Sequence, residues 1–394
     1  MRFYWLILLF LCPFAALAQT GLITGKITRA DTKGPVAGAN VFLSNSTAGT
    51  SSNDAGNYNL NNLKQGQYTL VVSIIGYADY TKSVLVGRDP IKLDIELTPK
   101  VIVLREVSIS TNANWKKNYE QFVRDFIGTD DNAKYCVVVN PHEVELTYHR
   151  AKQLLTAYTD DFLVVENHAL GYRVKFLVDS FASDGLSHII SYRGQRLFQE
   201  LPGSKKQQEI WHKKREDAYY GSSMHFYRSL FTNKLDSEGF IMMKLTRMLN
   251  PNRPQEQEIQ SKIAHFNDGR HRDSINYWIS MENMSKYFHE NLDRDPIPVN
   301  QVLYRAQQPG IFVVDFTGYV LYVVYTKKRE ETDFKDLYRP LDMPNYETSV
   351  ITLYQPYYFD TNGVVFGDSA PLYEATWSKS KLSDLLPVDY TPGD

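Results

Sequence analysis

Between Tyr68 and Ile75 apolar residues fall on both parities, with Tyr68, Leu70, Val72 and Ile74 set against Val71 and Ile75. Side chains of a strand alternate between faces, so this pattern predicts a central strand covered on one side by a second sheet. Leu93, Ile95 and Leu97 instead alternate with Lys92, Asp94 and Glu96, which predicts a half-buried antiparallel strand. From Leu22 to Leu97 such short runs are separated by turn residues at Lys33-Gly34-Pro35, Asp54-Ala55-Gly56-Asn57, Lys64-Gln65-Gly66 and Gly87-Arg88-Asp89-Pro90. Regular spacing of this kind predicts a small β-sandwich, with Gly56 and Gly66 taking positive φ in hairpin turns and Asp54 bonding to its own turn.

Beyond the sandwich the period changes. Trp115, Tyr119, Phe122, Val123, Phe126 and Ile127 recur at helical spacing, with Asn114 as cap and Gly128 as stop, and this aromatic stripe reads as core. Strands are predicted at 134–139, 143–149, 162–166, 172–178 and 188–192. Residues 205–249 read as charged and helical, with Lys213-Lys214-Arg215 on a solvated face, and 250–295 as loops around short elements. One hairpin is expected over 311–325, turning at Thr317-Gly318. A second pairs 349–354 with 364–366, turning at Asp360-Thr361-Asn362-Gly363, where the further ligands of a calcium loop are missing. Residues 382–392 read as a short amphipathic piece and a tail.

The extreme N-terminus changes the setting. Arg2, the apolar run from Phe3 to Phe14 and Ala16-Leu17-Ala18 before Gln19 predict a signal peptide over 1–18 and export. Leu11 stands where a lipoprotein site before Cys12 needs a small residue, so cleavage is expected without lipidation. Loss of Arg2 takes the formal charge from −2 to −3, and Cys136 is left as the sole cysteine, excluding an internal disulfide. Cys136 lies in an apolar run and is expected to act as a buried small hydrophobe. Near-neutral charge argues against nucleic-acid binding, and no later apolar run has the length of a membrane helix.

Gly25-Lys26-Ile27, the stretch Gly34-Pro35-Val36-Ala37-Gly38-Ala39-Asn40-Val41, the turn and strand from Asp54 to Leu60, Gly66-Gln67-Tyr68 and Ser73-Ile74-Ile75-Gly76-Tyr77 together resemble the carboxypeptidase-regulatory-like domain. The resemblance implies a transthyretin-like, seven-stranded sandwich, found in many Bacteroidota envelope proteins and at the start of many TonB-dependent receptors. It implies no catalysis, and the shared positions are turns and core, so no functional residue is carried over. Leu104-Arg105-Glu106-Val107-Ser108-Ile109 is similar to the segment leading into the receptor plug, but the remaining chain lacks the strand series of a barrel.

Candidate chemistry is sparse. His142-Glu143-Val144-Glu145 has the His-x-x-Glu spacing of a zinc site, but on a strand the two ligands point to opposite faces and no third ligand is identified. Val364 to Ser369 resembles the nucleophile block of GDS-type esterases, yet no histidine follows Ser369 to serve as base. Phosphate-loop, Gly-x-Ser-x-Gly, His-Glu-x-x-His, Cys-x-x-Cys and dinucleotide patterns are missing. Carboxylate pairs of the glycosidase kind depend on separation in space, which spacing in sequence does not reveal. The 27 tyrosines and five tryptophans allow a sugar- or peptide-binding surface, although most alternate within β runs, where strand propensity explains them.

The expectation is therefore a mainly β protein with α+β character. Its parts are a signal peptide (1–18), the sandwich (19–100), a strand or linker (101–114), and a larger α+β domain of antiparallel hairpins and helices (115–394). Its expected role is non-enzymatic binding or scaffolding of a protein or glycan in the periplasm, at the outer membrane or at the cell surface. No catalytic, metal or cofactor site is assigned. A polysaccharide or peptide hydrolase with its site in the second domain is the alternative, and assembly with an outer-membrane receptor rests on family analogy.

Overall fold

The computed structural model describes residues 21–100, 112–266, 270–330, 344–367 and 370–393; the predicted leader, the run 101–109 and Ser369 lie outside the described residues. The first unit comprises β1 (Gly21–Arg29), β2 (Asn40–Leu43), β3 (Gly49–Ser51), β4 (Asn57–Leu63), β5 (Gly66–Ser73), β6 (Tyr80–Val86), β7 (Ile91–Lys92) and β8 (Ile95–Leu97). One sheet places β4 on one side of β1 and β7 then β8 on the other, and the facing sheet runs β3-β2-β5-β6. Because β7 and β8 are successive pieces of one edge, the sandwich has seven strand positions, as its motifs imply. Its core holds Ile23, Ile27, Leu60, Leu70, Val72 and Ile95, all buried.

Local chemistry departs from expectation at three places. The 93–97 run pairs parallel to β1, not antiparallel, because β6 belongs to the other sheet and the chain re-enters after crossing the end of the sandwich. Asn53, not Asp54, makes the turn bonds, its Oδ1 accepting from Ala55 N–H at 3.0 Å and Asn57 N–H at 2.9 Å. Gly56 has φ +79° as expected, but in the 62–66 turn the left-handed residue is Asn62 (φ +56°) and Gly66 simply opens β5.

The second unit begins with α1 (Asn112–Ile127), so Asn114 lies inside the helix rather than capping it, and Gly128 ends it at φ +113°. Then follow β9 (Cys136–Val138), β10 (Val144–His149), β11 (Leu154–Thr159), β12 (Leu163–Asn167), β13 (Tyr172–Asp184) and β14 (Ile189–Glu200). Strand β13 organises this sheet: β14 pairs along its whole length, while β12 and β11 pair with its first and second halves on the other side. The strand β11 was not predicted, since only Leu155 and Ala157 mark its buried face. Phe122 and Phe126 of α1 pack on Phe176 and Phe181, confirming the aromatic stripe as core.

The remainder holds α2 (Lys205–Tyr219), α3 (Ser223–Phe231), α4 (Leu235–Glu238), β15 (Phe240–Leu249), α5 (Glu256–Phe266), α6 (Arg272–Glu282), β16 (Tyr287–Asp293), β17 (Leu303–Arg305), β18 (Ile311–Val314), β19 (Val320–Arg329), β20 (Tyr346–Thr352), β21 (Tyr357–Asp360), β22 (Val365–Phe366), β23 (Leu372–Ala375) and α7 (Thr376–Lys379). Its sheets run β16-β15-β19-β20-β23 and β17-β18-β21-β22, packed together around Phe226, Tyr227, Val323 and Phe359. Residues 240–249 are thus a strand rather than helix, and 256–282 contain two helices rather than loops. The 311–325 run is no hairpin, because β18 and β19 belong to different sheets. The Asp360–Gly363 turn forms as expected, but β22 pairs with β21 rather than with 349–354.

Two features join the units. Phe42 and Val71, on the outer face of the sandwich, are buried against Phe162, Leu177 and Leu197 of the second sheet. Ser46 also bridges Leu197, with Asn45 N–H donating to Arg196 O at 2.6 Å. The predicted tail is in fact structural: Leu382, Leu386 and Tyr390 enter the second core and Val388 enters the sandwich core.

Candidate functional site

Where sandwich, second sheet, α2 and C-terminal segment meet, they leave a cleft of about 880 Å³, toward the upper end of the range for small-molecule sites. Its floor is formed by Tyr172, Glu200, Leu201 and the α2 side chains Trp211 and Arg215, which are held from behind by the turn between β12 and β13. Asn167 Oδ1 accepts from the N–H groups of Ala169 and Leu170, and Gly171 completes the turn at φ +71°. The absence of a side chain at Gly171 has a second use, since a Cβ there would stand 2.2 Å from Trp211 of α2. The Trp211 indole N–H donates to His168 O at 2.8 Å.

Arg215 lies one turn along α2 from Trp211. It is buried, and its Nε donates to Leu170 O at 2.7 Å, its Nη2 to Gly171 O at 3.4 Å and its Nη1 to Glu200 Oε1 at 2.8 Å. The guanidinium sits 3.9 Å from the Tyr172 ring centroid, where cation–π attraction adds to the bonds. Burial raises the Tyr172 phenol above its usual range and pushes Tyr390 up to about 12, so both line the cleft as neutral hydroxyls. This is a correction to the solvated-face reading: Lys213 and Lys214 are exposed, but Arg215 is not.

The opposite wall comes from β3 and β4, and the end is closed by the C-terminal segment. Asp389 accepts from Thr47 N–H at 3.0 Å and also from the Thr47 hydroxyl. Lys64 Nζ donates to Asp389 O at 2.8 Å and Thr391 Oγ1 at 2.9 Å. Behind this strap Arg228 donates to Val388 O and Tyr390 O. The charged side chains that line the cleft, Lys64, Arg215, Glu200 and Asp389, are therefore engaged within the protein. Asn59, Asn61, Gln208 and His212 remain exposed, with no side-chain hydrogen bond among the described residues.

The residues considered for chemistry lie elsewhere. His142 sits in a 3-10 turn (Pro141–Glu143) before β10, not on the strand, and its exposed ring lies 5.1 Å from that of Trp115. Glu145 is exposed and opposite Tyr158. The opposite-faces objection to zinc thus does not apply, but among the described residues no three His, Cys, Asp or Glu side chains gather in a way that holds a metal ion. Cys136 is half-buried, and burial pushes its thiol up to about 12. Sequence reading missed Arg215 although a signal existed: Trp211, Arg215 and Tyr219 recur every four residues, which sets the arginine on the inward face.

A family model described as the CarboxypepD_reg-like domain matches residues 23–109, about a fifth of the chain, so the N-terminal module is of that type. Three solved structures are similar over short spans. The group B streptococcus pilus 2b backbone protein is 21% identical over 21% of this chain and 42% of its own, with TM-score 0.19. The shaft pilin SpaA of Lactobacillus rhamnosus GG is 17% identical over 21% and 49%, at 0.18. A type II cohesin–X-dockerin complex from Acetivibrio cellulolyticus is 12% identical over 28% and 75%, at 0.19. The chain thus spans less than half the length of either pilin. No curated protein matches.

Proposed function

We propose that this chain is an exported, non-catalytic binding protein of the cell envelope, and that its ligand, a glycan or a protein segment, occupies the cleft between the sandwich and the second sheet. The leader-like N-terminus and the accessory-type sandwich support the setting. One observation carries the site: the charged groups of the cleft are spent on holding its shape, leaving exposed amides and an imidazole toward the opening. A hydrolase needs an acid and a base free to exchange protons with substrate. Here one Glu200 oxygen is held by Arg215 and both Asp389 oxygens by Thr47, which favours binding over the hydrolase alternative.

The test is retention of the mature chain on arrays carrying both glycans and peptides, beside Asn61→Trp, which fills the opening from an exposed strand position. Retention by the wild type that is lost in the variant is expected. Equal retention by both, or none by either, refutes the site; release of cleaved product refutes the non-catalytic reading.

A further inference from the structure

We infer that the ligand of this cleft is a neutral oligosaccharide, an inference that rests on the cleft being the ligand site. A carboxylate or phosphate is held most strongly by a cation free to make charge-assisted bonds, and both cations of the cleft already have partners within the protein. Arg215 is bound to Leu170 O, Gly171 O and Glu200, and Lys64 to Asp389 O and Thr391. Lys64 and Glu200 are exposed but paired within the protein, and the unpaired polar groups beside them include three side-chain amides. Each amide of Asn59, Asn61 and Gln208 offers a donor and an acceptor side by side, matching sugar hydroxyls that are donor and acceptor at once. Asn59 and Asn61 share the outward face of β4, about 7 Å apart along the strand, with Gln208 and His212 contributed by α2.

The competing occupant is an extended peptide, because β4 pairs only with β1 among the described residues and has a second edge. That edge is a poor template at the cleft. Asn62 stands at φ +56° and the β1–β4 register shifts between Gly21 and Ile23, so the extended geometry that a peptide ladder needs is broken there.

Calorimetric titration of the mature chain decides between them. The probes are maltohexaose, cellohexaose, xylohexaose and mannohexaose, with hexagalacturonate as the acidic control and a ten-residue alternating Thr/Val peptide as the strand control. The expected result is binding of a neutral hexasaccharide, weakened about tenfold or more in the Asn61→Ala, Gln208→Ala double variant and lost in Asn61→Trp. Tightest binding of hexagalacturonate or the peptide, still lost in Asn61→Trp, overturns the neutral-sugar assignment and leaves the cleft as the ligand site. Binding insensitive to Asn61→Trp, or none to any probe, overturns both.

Discussion

Replacing Arg228 by alanine removes the side chain on which three parts of the molecule converge. From α3 its guanidinium donates to Asn362 O at 3.0 Å, Tyr390 O at 2.9 Å and Val388 O at 2.8 Å. Asn362 in turn donates to Gln67 O of the sandwich at 2.8 Å, and Val388 N–H donates to Asn45 O at 2.7 Å. A hydrogen bond from a charged donor contributes about 1.5–3 kcal/mol, and three give a ceiling of about 9 kcal/mol. Arg228 is only half-buried, so water regains part of the three carbonyls, and the expected loss is about 3–5 kcal/mol. Arg228→Lys keeps the charge on a single-point donor and is expected to restore no more than about a third of that. Urea unfolding followed by tryptophan fluorescence gives the total, and limited proteolysis shows whether the segment from Pro387 onward loosens before the cores do. A loss below about 1 kcal/mol with that segment still protected would show that the C-terminal strap is held by the burial of Val388 and Tyr390 alone.

Burial raises the carboxyls of Asp360 and Asp384 to about 6 from 3.8. Such a group binds its proton more tightly when folded, so its contribution is full below pH 3.8 and is lost as pH rises through about 6, by up to about 3 kcal/mol per group. Asp360→Asn keeps an acceptor for Asn362 N–H and Val364 N–H, and the wild type measured against it from pH 4 to 7 is expected to lose relative stability; a flat difference refutes the assignment. Gly171→Ala places a Cβ 2.2 Å from Trp211 at φ +71°, with an expected cost of about 2–4 kcal/mol and a shifted indole fluorescence; an unchanged midpoint and spectrum would show that the floor yields freely. The Cys136 thiol, pushed up to about 12 by burial, is expected to resist a disulfide reagent at pH 8 until the chain unfolds, and rapid labelling of the folded protein would contradict that burial.

Legibility followed the range of the forces involved. The helix over Trp115–Ile127 and the alternation in Ile95-Glu96-Leu97 were readable because each element buries its own apolar stripe. The Asp360–Gly363 turn was readable because its bonds are made within four residues. Readings failed where a partner lay far along the chain. Strand β15 carries Lys244 and Arg247 and reads as helix, yet between β16 and β19 its backbone bonds go sideways and its Met242 and Leu245 are covered from both faces. The 311–325 run has a turn glycine at Gly318 (φ +80°) and apolar flanks, but each flank finds a better-matched sheet elsewhere.

The sequence by itself determined that residues 22–97 form a small sandwich, because turn glycines and two-residue alternation act within a few residues of one another; the seven strand positions came from its resemblance to the carboxypeptidase-regulatory-like domain. Cys136 is the one cysteine among the described residues and is free, so packing and not a disulfide holds them together. Only the tertiary structure decided that Phe42 and Val71 face a second sheet and that residues 382–390 are core. Those outcomes depend on pairs up to 342 residues apart, as between Thr47 and Asp389, whose contact is set by the summed burial of three cores and leaves no local period to read.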